Sequence, residues 1–171
     1  MNKPKLYLFV GYPGSGKTSI SKLIKEKTGA VHIWADRERH LQFKPVTYSR
    51  PESDELYTRL NSQCEQYLIE GKSVIYDTNF NFYLDRQLLR NIAKKHNAET
   101  VLIWMTTPIE IAKSRATSEL HNSDTRILGV MKDEDFNRIS NHLEKPLPSE
   151  KPIKIDGTVI NEDLLLNNLV L

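Results

Sequence analysis

Residues 11–18, GYPGSGKT, fit the pattern G-x-x-x-x-G-K-[ST], with Gly11, Gly16, Lys17 and Thr18 at the fixed positions. The residue types explain the pattern. Glycines let successive backbone N–H groups turn inward with no Cβ in the way. A helix opening near Lys17 aims its positive end at the same point. Lys17 supplies a cation for the outer phosphates of a nucleotide, and the Thr18 hydroxyl is an oxygen ligand for Mg²⁺. The expected phosphate-binding stretch is therefore Gly11, Tyr12, Pro13, Gly14, Ser15, Gly16, Lys17, Thr18 and Ser19.

Three further groups of residues could act on a bound nucleotide. An apolar run ends in YDTN, Tyr76 to Asn79, and Asp77 is placed to serve the Mg²⁺ shell beside Thr18. The alternative for Asp77 is a turn or helix cap. Thr78 stands where mechanical ATPases carry a water-activating Glu, which favours transfer over hydrolysis. In ADRER, Ala35 to Arg39, Asp36 and Arg39 are three apart and share a face if a helical turn starts there. Asp36 could take the proton of an attacking hydroxyl; the plainer reading is a solvated ion pair with Arg37 or Arg39. Arg115 and Arg126 flank an irregular segment, where a lid could bring arginines over the phosphates. Both could equally be ordinary surface arginines. No N-K-x-D run selects guanine, so the nucleotide expected is ATP.

The elements that must position these residues are legible as alternating apolar runs and helical patterns. Strands are expected at 5–10, 31–35, 73–77, 100–106 and 153–156, and such continuous apolar runs suit parallel strands covered on both faces. The helix after GYPGSGKT carries Ile20, Leu23 and Ile24 and stops at Gly29. Residues 53–70 carry the stripe Leu56, Leu60, Cys64, Leu68 and could start at Ser53. Residues 82–96 carry Leu84, Leu88, Leu89 and Ile92 after an Asn81 cap. Thr107-Pro-Ile-Glu110 reads as a capping box opening a helix to about Ser118. Residues 133–143 carry Phe136, Ile139 and Leu143, and a short helix follows from Asn161. The sum is a five-stranded α/β sandwich. Its irregular stretches, 37–52, 119–131 and 144–152, are where ligands are expected.

Composition constrains less. The 171 residues suit one domain, and 24 Lys and Arg against 22 Asp and Glu neither demand nor exclude a nucleic acid partner. Cys64, the only cysteine, reads as a buried helix residue, and the five His show no metal-ligand spacing. Trp34 and Trp104 fall inside strand runs and are expected in the core. Phe43, Lys44, Tyr48 and Arg50 mix aromatic and charged groups between 37 and 52, which suits either a nucleotide-containing substrate or a plain solvated loop. No apolar run suggests a signal peptide or a membrane span, so a reduced, cytoplasmic, soluble protein without membrane association is expected. Nothing in the sequence requires a protein partner.

Taken in order, GYPGSGKT, ADRER, YDTNF, TTPIE with a following Arg, LEKPLPSE and IDG resemble the small P-loop kinase-like proteins of AAA type. These are related to the kinase domain of polynucleotide kinase and, more distantly, to zeta-toxin and gluconate-type kinases. The resemblance runs over about residues 5 to 157. It implies a P-loop NTPase three-layer sandwich, with a parallel sheet ordered 2-3-1-4-5 and a helical lid at about 115–131, in a single domain 1–171. It implies Asp36 as general base, Arg39 near the acceptor, and lid arginines, Arg115 and Arg126, clamping ATP. Relatives often carry a second Arg soon after the first; here RATSELHNSDTR has none before Arg126. The expected function is ATP- and Mg²⁺-dependent transfer of the γ-phosphate to a hydroxyl. A nucleic acid or nucleotide 5′-hydroxyl leads as acceptor, with a small-molecule alcohol second. The rival is an ATP-binding regulatory protein or slow ATPase with no phosphorylated acceptor.

Overall fold

The computed structural model describes residues 3–118 and 129–160. Its strands are β1 (Lys5–Val10), β2 (Val31–Trp34), β3 (Val74–Asp77), β4 (Glu99–Met105) and β5 (Ile153–Ile155). They form one parallel sheet in the order β2-β3-β1-β4-β5, as expected. β1 can sit at the centre because it is apolar on both faces. Leu6, Leu8 and Val10 enter one core, while Tyr7 and Phe9 enter the other. The first core is closed by α3 (Arg50–Ile69) and α4 (Tyr83–Lys95), the second by Ile20 and Ile24 of α1 (Lys17–Thr28). All strands point the same way, so their C-terminal ends gather the functional loops along one edge.

The α3 stripe is buried as the spacing requires: Leu56, Leu60 and Cys64 are fully covered and Leu68 nearly so. Gly29 ends α1 with φ 67° and donates its N–H to the Lys25 carbonyl at 2.9 Å. Other boundaries move. β2 stops at Trp34, and α2 (Ala35–Gln42) starts at once, so ADRER lies on a helix and not in a loop. α3 begins at Arg50, three residues before Ser53, because the Ser49 hydroxyl accepts the Glu52 N–H at 3.4 Å. Trp34 and Trp104 are only partly buried. Trp34 stacks on His32 and carries Lys22 over its ring, and Trp104 carries Lys154.

α4 is turned from the expected face. Leu84 is 78% exposed and Leu88 49%, while Arg86, Leu89 and Ala93 point inward. The buried Arg86 explains the turn. Its Nε and Nη2 donate to the two carboxylate oxygens of Glu150 at 2.8 and 3.0 Å, and its Nη1 to the Phe80 carbonyl at 3.0 Å. Asn81 does not cap α4. Its side-chain oxygen accepts the Gly11 N–H at 3.3 Å, and the Glu144 carboxylate accepts the Tyr83 N–H at the helix start. The capping box at Thr107 is not formed either. Pro108 occupies the N-cap of α5 (Ile109–Thr117), and the Thr107 hydroxyl faces the GYPGSGKT loop. α6 (Asp133–Asn141) packs Phe136 on Ala112 and Ala116 of α5. Ser140, not Ile139 or Leu143, is its other buried residue. The helix expected from Asn161 lies outside the described residues. No described helix is long and apolar enough to cross a membrane.

Candidate active site

The loop between β1 and α1 is shaped by backbone that few residues tolerate. Gly14 has φ 75°, and a Cβ there would stand 2.3 Å from the Ala112 carbonyl oxygen of α5. Gly157, just past β5, approaches from the other side; its Cβ would meet the Ser15 oxygen at 2.1 Å. Thr107 joins the two segments, donating to the Ser15 carbonyl at 2.8 Å and accepting the Gly157 N–H at 3.1 Å. The phosphate loop is therefore clamped between α5 and the β5 end. That is the rigidity a nest of N–H groups needs to hold an anion without reorganising.

Lys17 donates to the carbonyls of Gly11 at 3.0 Å and Tyr12 at 2.7 Å. Burial pulls its pKa down to about 8, against the opposing pull of Asp77 and Asp36. A lysine with a lowered pKa keeps its charge below that value and loses it above. Affinity for a non-hydrolysable ATP analogue is therefore expected to weaken as pH rises from about 8 to 9, the range set by that pKa. Calorimetric titration reads this directly. Lys17→Arg should flatten the dependence, because guanidinium stays protonated.

Asp77 ends β3 beside Thr18. The Thr18 hydroxyl donates to one carboxylate oxygen at 3.4 Å, and His32 Nε2 lies 3.0 Å from the other. His32 sits on β2, where Trp34 pairs with Asp77, and its ring is flanked by Trp34. Thr18 and Asp77 are hard oxygen donors, and they leave most of a coordination sphere to phosphate and water. That fits Mg²⁺, which binds through one or two protein groups plus substrate phosphates. Among the described residues no group of three or more His, Cys, Asp or Glu forms an all-protein metal cage.

Asp36 opens onto the same crevice from the first turn of α2. The protein around its carboxyl, followed by the negative charge of Asp77, raises its pKa, while Lys17, Arg39 and His40 oppose the rise. Asp36 is itself exposed and borders the cleft. Among the described residues it forms no ion pair. Arg39 does not pair with it: its Nη1 donates to Glu52 and its Nη2 to Ser53 Oγ at 3.3 Å. Arg115 reaches the far end, donating to the Gly157 carbonyl at 2.8 Å. Arg126 lies outside the described residues.

One cleft joins these groups. It encloses about 1380 Å³, above the ~300–1,000 Å³ that one small ligand fills. The loop residues Pro13, Gly14, Gly16, Lys17 and Thr18 and the carboxylate-bearing Asp36 all border it. Sequence reasoning named Tyr48 without assigning it, and passed over Tyr57, Thr78 as a lining group, His32 and Gly157. Only IDG, a strand end followed by Gly, signalled the last; Tyr48, Tyr57 and Thr78 reach the cleft through tertiary packing, and His32 stands behind it on Asp77.

A family model described as an AAA domain matches residues 6–146. A protein of Acanthamoeba polyphaga mimivirus described as a bifunctional polynucleotide phosphatase/kinase is 30% identical over 112 residues, 65% of this chain and 23% of that one. A shikimate kinase of Persephonella marina is 28% identical over 116 residues, 67% of this chain and 68% of its own. The chain thus spans under a quarter of the first relative. Among solved structures, a protein of Chloroflexus aurantiacus described as a kinase superposes with a TM-score of 0.77 at 19% identity, covering 99% of this chain and 96% of that one.

Proposed function

The chain belongs to the AAA domain family, a family of kinase-like P-loop proteins, and on that premise we propose that it is an ATP- and Mg²⁺-dependent phosphotransferase acting on a hydroxyl. One observation carries the reading: a carboxylate with no ion pair among the described residues, Asp36, opens onto the cleft that holds Lys17, Thr18 and Asp77. A protein that only binds a nucleotide has no use for a base opposite the phosphates.

In-line phosphoryl transfer needs positioning and charge neutralisation more than covalent chemistry. The loop N–H groups orient the β- and γ-phosphates, and Lys17 meets their negative charge. Thr18 and Asp77 would hold Mg²⁺, which neutralises phosphate charge when bound. Asp36 accepts the acceptor's proton as its oxygen attacks the γ-phosphorus and the bond to the β-bridging oxygen breaks, leaving ADP. Arg115, tethered to the loop after β5, borders the nucleotide end. The polynucleotide relative supports a nucleic acid or nucleotide 5′-hydroxyl as the leading acceptor, and the shikimate relative supports a small-molecule alcohol as the second. The same arrangement without a labelled acceptor would leave an ATP-binding protein or slow ATPase.

The test is transfer from γ-labelled ATP to a panel of nucleosides, 5′-hydroxyl oligonucleotides and small alcohols. Lys17→Ala is expected to lower that transfer by about 10²–10³-fold, the usual loss for one preorganised electrostatic group, with the fold intact by circular dichroism. Unchanged turnover and unchanged nucleotide affinity in that variant would sink the reading.

A further inference from the structure

We propose, resting on the phosphotransferase reading, that the α2–α3 wall of the cleft is an acceptor seat for a planar ring, with Tyr48 as its platform, and not a seat for an anionic group. Tyr48 is a non-glycine residue at φ 54°, 49% exposed, and it borders the cleft. Such a backbone is strained and persists only where its surroundings over-determine it. Here they do. The buried Glu52 carboxylate accepts the Tyr48 N–H at 3.2 Å, and the Thr47 N–H and hydroxyl at 2.7 and 2.6 Å. The same carboxylate accepts from Arg39. The Arg39 guanidinium carbon lies 5.0 Å from the centre of the Tyr48 ring and 5.9 Å from that of Tyr57. One face of Tyr48 therefore rests on a buried cation, while about half of the residue remains open.

An aromatic face held open over a fixed cation is a stacking surface. Base–aromatic stacking contributes about 1–3 kcal/mol per base and tolerates any base, because every base has a π-face. The platform borders the same cleft as the proposed base Asp36; burial first, and then the negative charge of Asp36 against the opposing Arg39, push the Tyr48 phenol up to about 12. The Tyr57 hydroxyl, hydrogen-bonded to Thr78 at 2.9 Å, feels Asp36 as well. A ring lying on Tyr48 would share this cleft with Asp36.

The same contacts argue against an acidic acceptor. Arg39 is the only Lys or Arg among the described residues of this wall, and it is 4% exposed and paired to Glu52. Its charge is already balanced. A carboxylate placed here would meet Asp36 and Glu52 with no free cation from the wall, which is repulsive at close range.

The probes are thymidine and cytidine as ring-bearing alcohols and shikimate as the carboxylate-bearing one, each with γ-labelled ATP. Wild type is expected to label the nucleosides and not shikimate. Tyr48→Leu should raise the nucleoside KM about 5- to 150-fold, the equivalent of one stacking contact, with the affinity for a non-hydrolysable ATP analogue unchanged. Tyr48→Phe should recover the low KM, since the ring face is kept. Labelling of shikimate alone, or an unchanged KM in Tyr48→Leu, overturns the seat while the phosphotransferase reading stands. Tyr48→Trp separates the two ideas further, by its fluorescence in the presence of the ATP analogue. Quenching by thymidine without any transfer supports the seat and overturns the phosphotransferase; no quenching overturns the seat.

Discussion

Asp36→Asn is expected to cut acceptor phosphorylation by about 10²–10⁴-fold, the range of general-base contributions, while leaving affinity for an ATP analogue nearly unchanged. The substitution keeps the size of the side chain and removes its basicity, and Asp36 is asked to touch the acceptor and not the phosphates. Two companion effects follow from its raised pKa. A base must be deprotonated to act, so wild-type transfer should fall as pH drops through that elevated value. A carboxyl whose folded pKa is raised also disfavours the folded state once pH rises above its ordinary range. Removing the charge should therefore raise the melting temperature of Asp36→Asn at neutral pH, while activity is lost. A structural ion-pair residue would lose both together. If transfer in the variant survives within a few-fold, Asp36 is not the base.

Glu150→Ala is expected to be the most damaging single change to stability. It would leave the Arg86 guanidinium, which is wholly buried, without its bidentate partner. Breaking a buried pair from one side costs about 3–5 kcal/mol. For a chain of this size that corresponds to about 6–20 °C in melting temperature. A double change to matched apolar residues, Arg86→Met with Glu150→Leu, should recover much of the loss, because no charge is then left uncompensated. The pair also has a pH signature. Burial pushes the Glu150 carboxyl up, but the Arg86 bonds, the Leu147 N–H and Arg90 more than offset this, so its pKa is lowered overall. Its stabilisation is full above the ordinary glutamate range and lost as pH falls through the lowered value. Thermal melts from neutral to acid pH, wild type against Glu150→Ala, should converge. A Glu150→Ala variant that melts with wild type at neutral pH would assign the segment's position to something other than this pair. Activity is expected to fall with stability here, since the segment 144–150 leads into β5 and the Gly157 contact on the phosphate loop.

The sequence by itself determined the strands, the phosphate loop and the placing of Asp77 at a strand end, while Asp36, expected at the end of the second strand, sits in the first turn of α2. Those features are local: an apolar run, a glycine pattern and an i, i+4 stripe such as Leu56, Leu60, Cys64, Leu68 each announce themselves within a few turns of chain. The tertiary structure alone decided what distant groups do to one another. Leu84 and Leu88 keep helical spacing, yet α4 turns Arg86 inward because Glu150 lies 64 residues away in sequence and beside it in space. Asn81 and Thr107 have the right types to cap helices, but each is taken by a stronger claim from the phosphate loop, the Gly11 N–H and the Ser15 carbonyl. Arg39 looked like a partner for Asp36 three residues before it, and Glu52 captured it instead. A buried polar group must be satisfied by whatever donor or acceptor the packed fold brings to it. The resulting arrangement, with Asp36 outside any ion pair among the described residues and Tyr48 open over a neutralised arginine, depends on three-dimensional neighbours that no local pattern encodes.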